Sequence, residues 1–319
     1  MESCKSHRYL NVTTCQISLL SSADKSVRHE HLAANIPSKL GHARVSSEDA
    51  RAILTRATGF LCAYDFTLNP YNGCSFGCTY CYAAFFSRGG FYPDDWGKWV
   101  RVKENAVALL EKHKPGSLGG KLIYLSSVTD PYQPLEKKLR MTRKLLKVLV
   151  AHKPKLVVQT RSPLVARDCD LFQQIEKAGG RVQVNMTITT DDENIRRAFE
   201  PSCPSNAVRM GAISQVAQAG VETCITMTPL LLVSNPDGFV KDLSATGVKK
   251  FITQPFHFGK GKFVAQTRAE AVAVMAEKLN CGEAEYQARY LKHYRRVFAT
   301  LKKSLPNLGE GKDGFAPPF

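Results

Sequence analysis

The sequence predicts an α/β fold, a partial (βα)6 barrel of parallel strands with an N-terminal extension and C-terminal helices. Three observations predict it. From Leu122 to Thr253, short β-branched runs alternate with helix-length segments, and parallel neighbours need such crossovers. Gly179-Gly180, Gly220 and Gly247 close three of those helical segments just before the next strand-like run. Six strand–helix units occupy roughly 200 residues, fewer than the roughly 250 of a full eightfold barrel.

Each element follows from local pattern. Residues 1 to about 45 are mixed and weakly periodic, so an extension of uncertain order is expected there. Ser46-Ser47-Glu48-Asp49 reads as the cap of a short helix through Arg56. Phe60 to Leu68 is aromatic and apolar over nine positions and stops at Asn69-Pro70, as a strand would. A Gly89-Gly90 break and an irregular aromatic stretch, Asp94 to Trp99, precede a helix expected from Val102 to His113. Strands are then expected at Leu122–Ser126, Leu156–Thr160, Val182–Thr187, Val221–Met227 and Val248–Thr253. The intervening helices are Leu139–Ala151, Leu164–Ala178, Glu193–Phe199 with Asn206–Ala219, and Asp237–Ala245. Two more helices, 267–280 and 283–304, and a Gly/Pro-rich tail from Pro306 to Phe319 complete the chain. The expected organisation is an extension over 1–45, a core domain over 46–260, and C-terminal helices and tail over 261–319.

Composition narrows the class. Hydrophobic content of 44% suits a globular core. No run of about eighteen apolar residues occurs, so no membrane span is expected. The N-terminal apolar stretch Ile17-Ser18-Leu19-Leu20 is too short for a signal peptide. Ten cysteines at irregular spacing, with no secretion signal, favour reduced thiols and a cytoplasmic location. Net charge is +16, with 44 Lys and Arg against 28 Asp and Glu. Lys137 to Arg167 holds ten Lys or Arg and no acid. A solvated basic face and attraction to nucleic acid both account for this.

Chemistry concentrates in Cys74-Ser75-Phe76-Gly77-Cys78-Thr79-Tyr80-Cys81. Three thiolates in eight residues form a soft ligand set for zinc, copper(I) or an iron–sulfur cluster. Iron–sulfur clusters ordinarily take four cysteines and structural zinc four ligands. Either the set leaves one metal position open, or Cys62 or a histidine completes a zinc site. The loop follows the expected first strand, which places it at the carboxyl rim of the sheet, where βα folds bind ligands.

The C-x3-C-x2-C spacing with Tyr80 before the last cysteine resembles the cluster motif of the radical S-adenosylmethionine (SAM) superfamily. Asn69-Pro70-Tyr71-Asn72-Gly73-Cys74 through Cys81-Tyr82-Ala83 is similar to its spore photoproduct lyase-like branch. The resemblance covers roughly residues 60 to 257 and implies a partial TIM-like barrel. It implies a [4Fe–4S] cluster on Cys74, Cys78 and Cys81, with SAM chelating the open iron and Tyr80 packing near cluster and adenine. It also implies SAM contacts at Ser127, Thr129 and Asp130 after the second strand, at Arg161 after the third, and at Thr187 on the fourth. The alternatives are a turn built on Asp-Pro for Asp130 and a surface salt bridge for Arg161. Arg196-Arg197-Ala198-Phe199-Glu200-Pro201 resembles a family signature in which Arg197 or Glu200 reaches the cofactor or locks the loop. Cys203 is a candidate radical-quenching thiol. Gln254 to Lys262, aromatic and basic, is either a contact for an anionic substrate or packed loop.

The resemblance implies reductive cleavage of SAM to methionine and a 5′-deoxyadenosyl radical, which abstracts hydrogen from a substrate. An external one-electron reductant, a flavodoxin or ferredoxin, is implied, and nucleic acid is a candidate substrate. The photoproduct lyases place a hydrogen-donor cysteine after the second strand. This chain has Ser126-Ser127 there, which departs from photoproduct repair by the same route. An iron–sulfur electron-transfer or structural metal protein is the reading from another class.

Overall fold

The structure, a computed structural model, describes residues 36–86, 93–260, 264–305 and 307–319. Most of the expected extension, the Gly89-Gly90 break, Gly261-Lys262 and Pro306 lie outside the described residues.

The main sheet has eight strands: β3 (Leu54–Arg56), β4 (Phe66–Leu68), β7 (Leu122–Leu125), β8 (Lys155–Thr160), β9 (Arg181–Thr187), β10 (Glu222–Met227), β11 (Lys250–Thr253) and β12 (Leu308–Glu310). Its order is β12-β11-β10-β9-β8-β7-β4-β3. Every pairing from β4 through β12 is parallel, and β3 closes the edge antiparallel to β4. The crossovers are α1 (Ala106–Glu111), α2 (Glu136–Leu139) and α3 (Met141–His152), α4 (Cys169–Lys177), α5 (Glu193–Phe199) and α6 (Asn206–Gln218), and α7 (Pro236–Ala245). This is the partial parallel barrel that the alternation predicts. Burial explains it, because β8 to β10 bury both faces and so read as near-continuous apolar runs. Leu156, Val158, Val182, Val184 and Ile225 face the helices in one core with Leu145, Phe172 and Ile213. Burying each such side chain contributes about 1.5–3 kcal/mol.

The N-terminal third departs from the expectation. Residues 43–56 form no helix; they make β2 (Ala43–Glu48) and β3. The strand expected from Phe60 shrinks to β4, preceded by a short 3-10 turn at Gly59–Leu61. The helix expected from Val102 begins as β6 (Trp99–Lys103) and becomes α1 only at Ala106. With β1 (Lys39–Leu40) and β5 (Tyr71–Gly73), these strands form a second sheet in the order β1-β2-β6-β5. Apart from the β1–β2 hairpin its pairings are long-range, and alternating burial in β2 is short enough to pass for a capped helix start. The tail is also more ordered than its composition suggests. Leu308 pairs with Phe251, adding β12 to the parallel sheet. Phe315 and Phe319 then pack against Ala57, Tyr64, Tyr124 and Val157. The helices α8 (Ala269–Lys278) and α9 (Tyr286–Ser304) follow the pattern closely.

Candidate metal centre and cofactor rim

The second sheet delivers the cysteine loop, since β5 runs directly into Cys74. Two close approaches require glycine. Gly73 has φ +74°, and a Cβ there would lie 2.5 Å from the Trp99 carbonyl oxygen. Gly77, at φ +59°, passes Gly97 so closely that a Cβ on Gly97 would sit 2.7 Å from the Gly77 Cα. Cys74 and Cys78 are buried and Cys81 half-buried. Gln133 Oε1 accepts from the Ser75 N–H at 3.0 Å, and Thr129 Oγ1 donates to the Gly73 carbonyl.

Residues 199–203, at the end of α5, grip the other half of the loop. Phe199 O accepts from Thr79 N at 2.9 Å and from Thr79 Oγ1 at 3.3 Å. The Glu200 carboxylate accepts from the Tyr80 hydroxyl. Cys203 Sγ lies 3.6 Å from Cys78 Sγ. Glu200, fully buried, also accepts from Thr189 Oγ1 at 2.8 Å, from Arg161 at 3.2 Å, and from Arg209. Arg161 further donates to the Tyr80 hydroxyl at 2.8 Å and lies 5.8 Å over its ring. Arg209 ties this hub to the strand end through the Thr187 carbonyl at 3.1 Å and the Pro204 carbonyl at 2.9 Å. Burial opposes the Glu200 charge, but Arg209 and Arg161 overcome it and hold the carboxyl at about 2. Burial pushes Cys74 up, aided by the Asp130 charge, and pushes Cys81 up to about 12. The Cys203 hydrogen bond, with the Arg161 charge, holds Cys78 below its ordinary value.

The rim gathers the other predicted residues unevenly. Asp130 is buried, and burial raises its pKa, while it accepts from Thr160 Oγ1 at 2.7 Å, Arg161 N at 2.9 Å and Tyr132 N at 2.8 Å. It therefore builds the β7–β8 rim and carries Arg161 on it. Ser127 is bracketed by Asn69, whose Oδ1 accepts from Ser127 N at 3.0 Å and Val128 N at 3.2 Å, and by Tyr82, whose hydroxyl donates to its carbonyl. Thr187 lies lower on the inner face, bonded to Gln159 Nε2 at 2.9 Å and Thr226 Oγ1 at 3.1 Å. Arg197 is exposed, so Glu200 alone of that pair does the locking. Cys62 is exposed. His257 packs edge-on against Tyr82 at 5.5 Å and Phe60 at 5.8 Å.

Sequence reasoning assigned no site role to Asn69, Arg209 or Ser126. Asn69 entered only as a loop residue and part of the run shared with the lyase-like branch, Ser126 only as a departure from the lyases, and Arg209 only as one position in an expected helix. Ser126 has φ 76°, outside the range a serine ordinarily adopts. Its buried Oγ has no hydrogen-bond partner among the described residues, and the same holds for Gln254 Oε1 after β11 and Arg268 Nε. Arg268 also donates to the Cys78 carbonyl at 3.4 Å. Buried polar atoms left unpaired cost free energy unless a ligand satisfies them. Among the described residues no three His, Cys, Asp or Glu side chains gather as ligands of one ion. A cluster takes each thiolate on a different iron, so three spaced soft donors on a buried loop fit it, and the orphaned rim atoms fit a polar ligand beside it.

A parallel βα barrel carrying a three-thiolate loop on its carboxyl rim defines a class of enzyme that works through a metal cluster. The chain belongs to the radical SAM superfamily, whose family model matches residues 68–244. Membership implies a [4Fe–4S] cluster and SAM as cofactors. An uncharacterized protein of Methanocaldococcus jannaschii is 36% identical over 167 residues, covering 52% of this chain and 60% of that protein. An uncharacterized protein of Mycobacterium bovis is 29% identical over 174 residues, covering 53% and 50%. The chain thus spans about half to three-fifths of the length of these curated relatives. A spore photoproduct lyase variant solved with bound AdoMet and dinucleoside spore photoproduct shares the fold at TM-score 0.57 and 13% identity, covering 94% of this chain and 87% of that one. No helix among the described residues is long and apolar enough to cross a membrane.

Proposed function

We propose that Cys74, Cys78 and Cys81 hold a [4Fe–4S] cluster and that the adjoining rim binds SAM. When bound, the pair supplies one-electron cleavage of SAM to methionine and a 5′-deoxyadenosyl radical able to take hydrogen from a substrate. The observation that carries this reading is the clamp on Cys78, Thr79 and Tyr80 at the carboxyl end of a parallel sheet. Arg161, oriented by Asp130 and Glu200, offers its guanidinium to the SAM carboxylate. Tyr80 lines the side nearest the cluster. Ser126 Oγ and Gln254 Oε1 have no partner among the described residues and suit SAM's polar groups. Ser127, Thr129, Asp130 and Thr187 shape that wall, with their side chains or backbone already engaged. Buried aromatic neighbours, Phe199, Phe256 and Tyr290, exclude water from the loop's inner side.

The substrate class we favour is nucleic acid. The net charge of +16 supports it, as does the dinucleoside carried by the structurally similar lyase. Photoproduct repair by a thiol after the second strand is disfavoured, because β7 is followed by Ser126-Ser127. The reductant is a flavodoxin or ferredoxin, and the setting cytoplasmic. The test is anaerobic reconstitution followed by SAM and dithionite. 5′-Deoxyadenosine should form, and an intact cluster that forms none defeats the reading. Binding to oligonucleotides should weaken steeply with salt; salt-independent binding removes nucleic acid as substrate.

A further inference from the structure

The clamp contains a thiol that SAM cleavage as described above does not use. Cys203 is buried, and its Sγ meets Cys78 Sγ at 3.6 Å. Its backbone is fixed from both sides. Its N–H donates to Glu200 O at 3.1 Å, and its carbonyl accepts from Arg196 Nη1 at 3.0 Å. Arg196 also donates to Glu200 O at 2.9 Å and pairs with Glu193 at 2.6 Å. The thiol is therefore presented to Cys78 by a rigid turn. At 3.6 Å the two sulfurs are within S–H···S reach and either could be the donor; with Cys78 ligating as a thiolate, only Cys203 has a proton to give. A shared ion would need further ligands, and among the described residues none joins them.

We propose that Cys203 is a positioning residue whose S–H donates to the Cys78 sulfur and thereby raises the reduction potential of the cluster. The proposal rests on the reading of Cys78 as a cluster ligand. A hydrogen bond to a ligating sulfur withdraws charge and favours the more negative, reduced state. A thiol is a weak donor, so the effect is modest.

The experiment compares reconstituted wild type with Cys203→Ala and Cys203→Ser. Cys203→Ala keeps its iron, but at a fixed applied potential its reduced-to-oxidised ratio falls roughly two- to fivefold, the scale of one weak hydrogen bond. Cys203→Ser, with a donor on a shorter bond, falls between the two. Exchange into D2O shifts the iron–thiolate stretches of the wild type in resonance Raman, and the shift shrinks in Cys203→Ala. An unchanged potential in a fully loaded Cys203→Ala protein overturns the proposal. So does loss of iron from that variant, which would make Cys203 a ligand instead of a donor. If the variants do not fold, absence of the D2O shift in the wild type overturns it. Cys78→Ala separates the two readings. Retained iron there sinks the ligand assignment itself; lost iron alongside an unchanged Cys203→Ala potential sinks only the role of Cys203.

Discussion

The two ends of the barrel carry the same kinds of ion pair in opposite settings. At the carboxyl rim, Glu200 and Arg209 are both fully buried, and Arg161 is 15% exposed. At the amino end, Glu222 pairs with Arg181 and with Lys250, and those side chains are 32%, 52% and 41% exposed. Water screens the second set, so it contributes little. The first set has lost its water and depends on its partners, so its geometry is stiff and removing one member is costly. The amino end is closed by packing: the tail covers Tyr64 and Tyr124 with Phe315 and Phe319, and the Phe319 ring lies 5.3 Å from the Arg181 guanidinium. The proposed chemistry sits at the end where charge is buried, and the tail packs over the screened end.

The comparison can be broken in several places. The largest effect belongs to the loop itself. Cys78→Ala should lose the iron and all 5′-deoxyadenosine formation, checked by iron assay and product analysis. Next, Arg209→Ala leaves the buried Glu200 charge half-paired and should cost about 3–5 kcal/mol in urea unfolding of the apo-protein. A cost below 1 kcal/mol would put the rim in the same class as the amino end.

Acid titration sharpens the same point. Glu200 has a folded pKa of about 2, below its unfolded value of about 4.3. Its stabilisation is therefore complete above the unfolded value and lost as pH falls through the folded one. The apo-protein should lose on the order of 3 kcal/mol between those values, and Glu200→Gln should lack that part of the slope. A smaller effect falls on the ligand: Arg161→Ala should weaken SAM binding about tenfold by equilibrium dialysis, the scale of one charge-assisted hydrogen bond. Smallest of all, Arg181→Ala at the amino end should cost less than about 1 kcal/mol and leave SAM binding unchanged.

Much of the barrel was legible because its signals are local. Strand runs such as Leu156-Val157-Val158 and Val182-Gln183-Val184 sit between amphipathic helices, and α5 falls at Glu193–Phe199 as its pattern predicts. The second sheet was illegible for the complementary reason. Arg44 pairs with Trp99 and Asn72 with Arg101, and nothing near any of them in the chain announces those partners. The strand β12 was hidden by a tail whose glycines and prolines read as loop. At the site, the cysteines stood out by spacing. Arg209 did not, because an arginine on a helix usually faces water, and only the packing of α6 under the rim turns it inward.

By itself the sequence determined the parallel βα alternation and the three-thiolate loop after a strand. Both rest on short-range rules, hydrophobic period and ligand spacing, that need no partner. Only the tertiary structure decided what surrounds the loop: Phe199, Glu200 and Cys203 on Cys78 to Tyr80, Arg161 and Arg209 on Glu200, and the Ser126 Oγ and Gln254 Oε1 atoms that find no partner among the described residues. Those contacts join residues up to 125 positions apart. Their free energy comes from burial of charge and hydrogen bonds that no segment possesses until the others have folded around it.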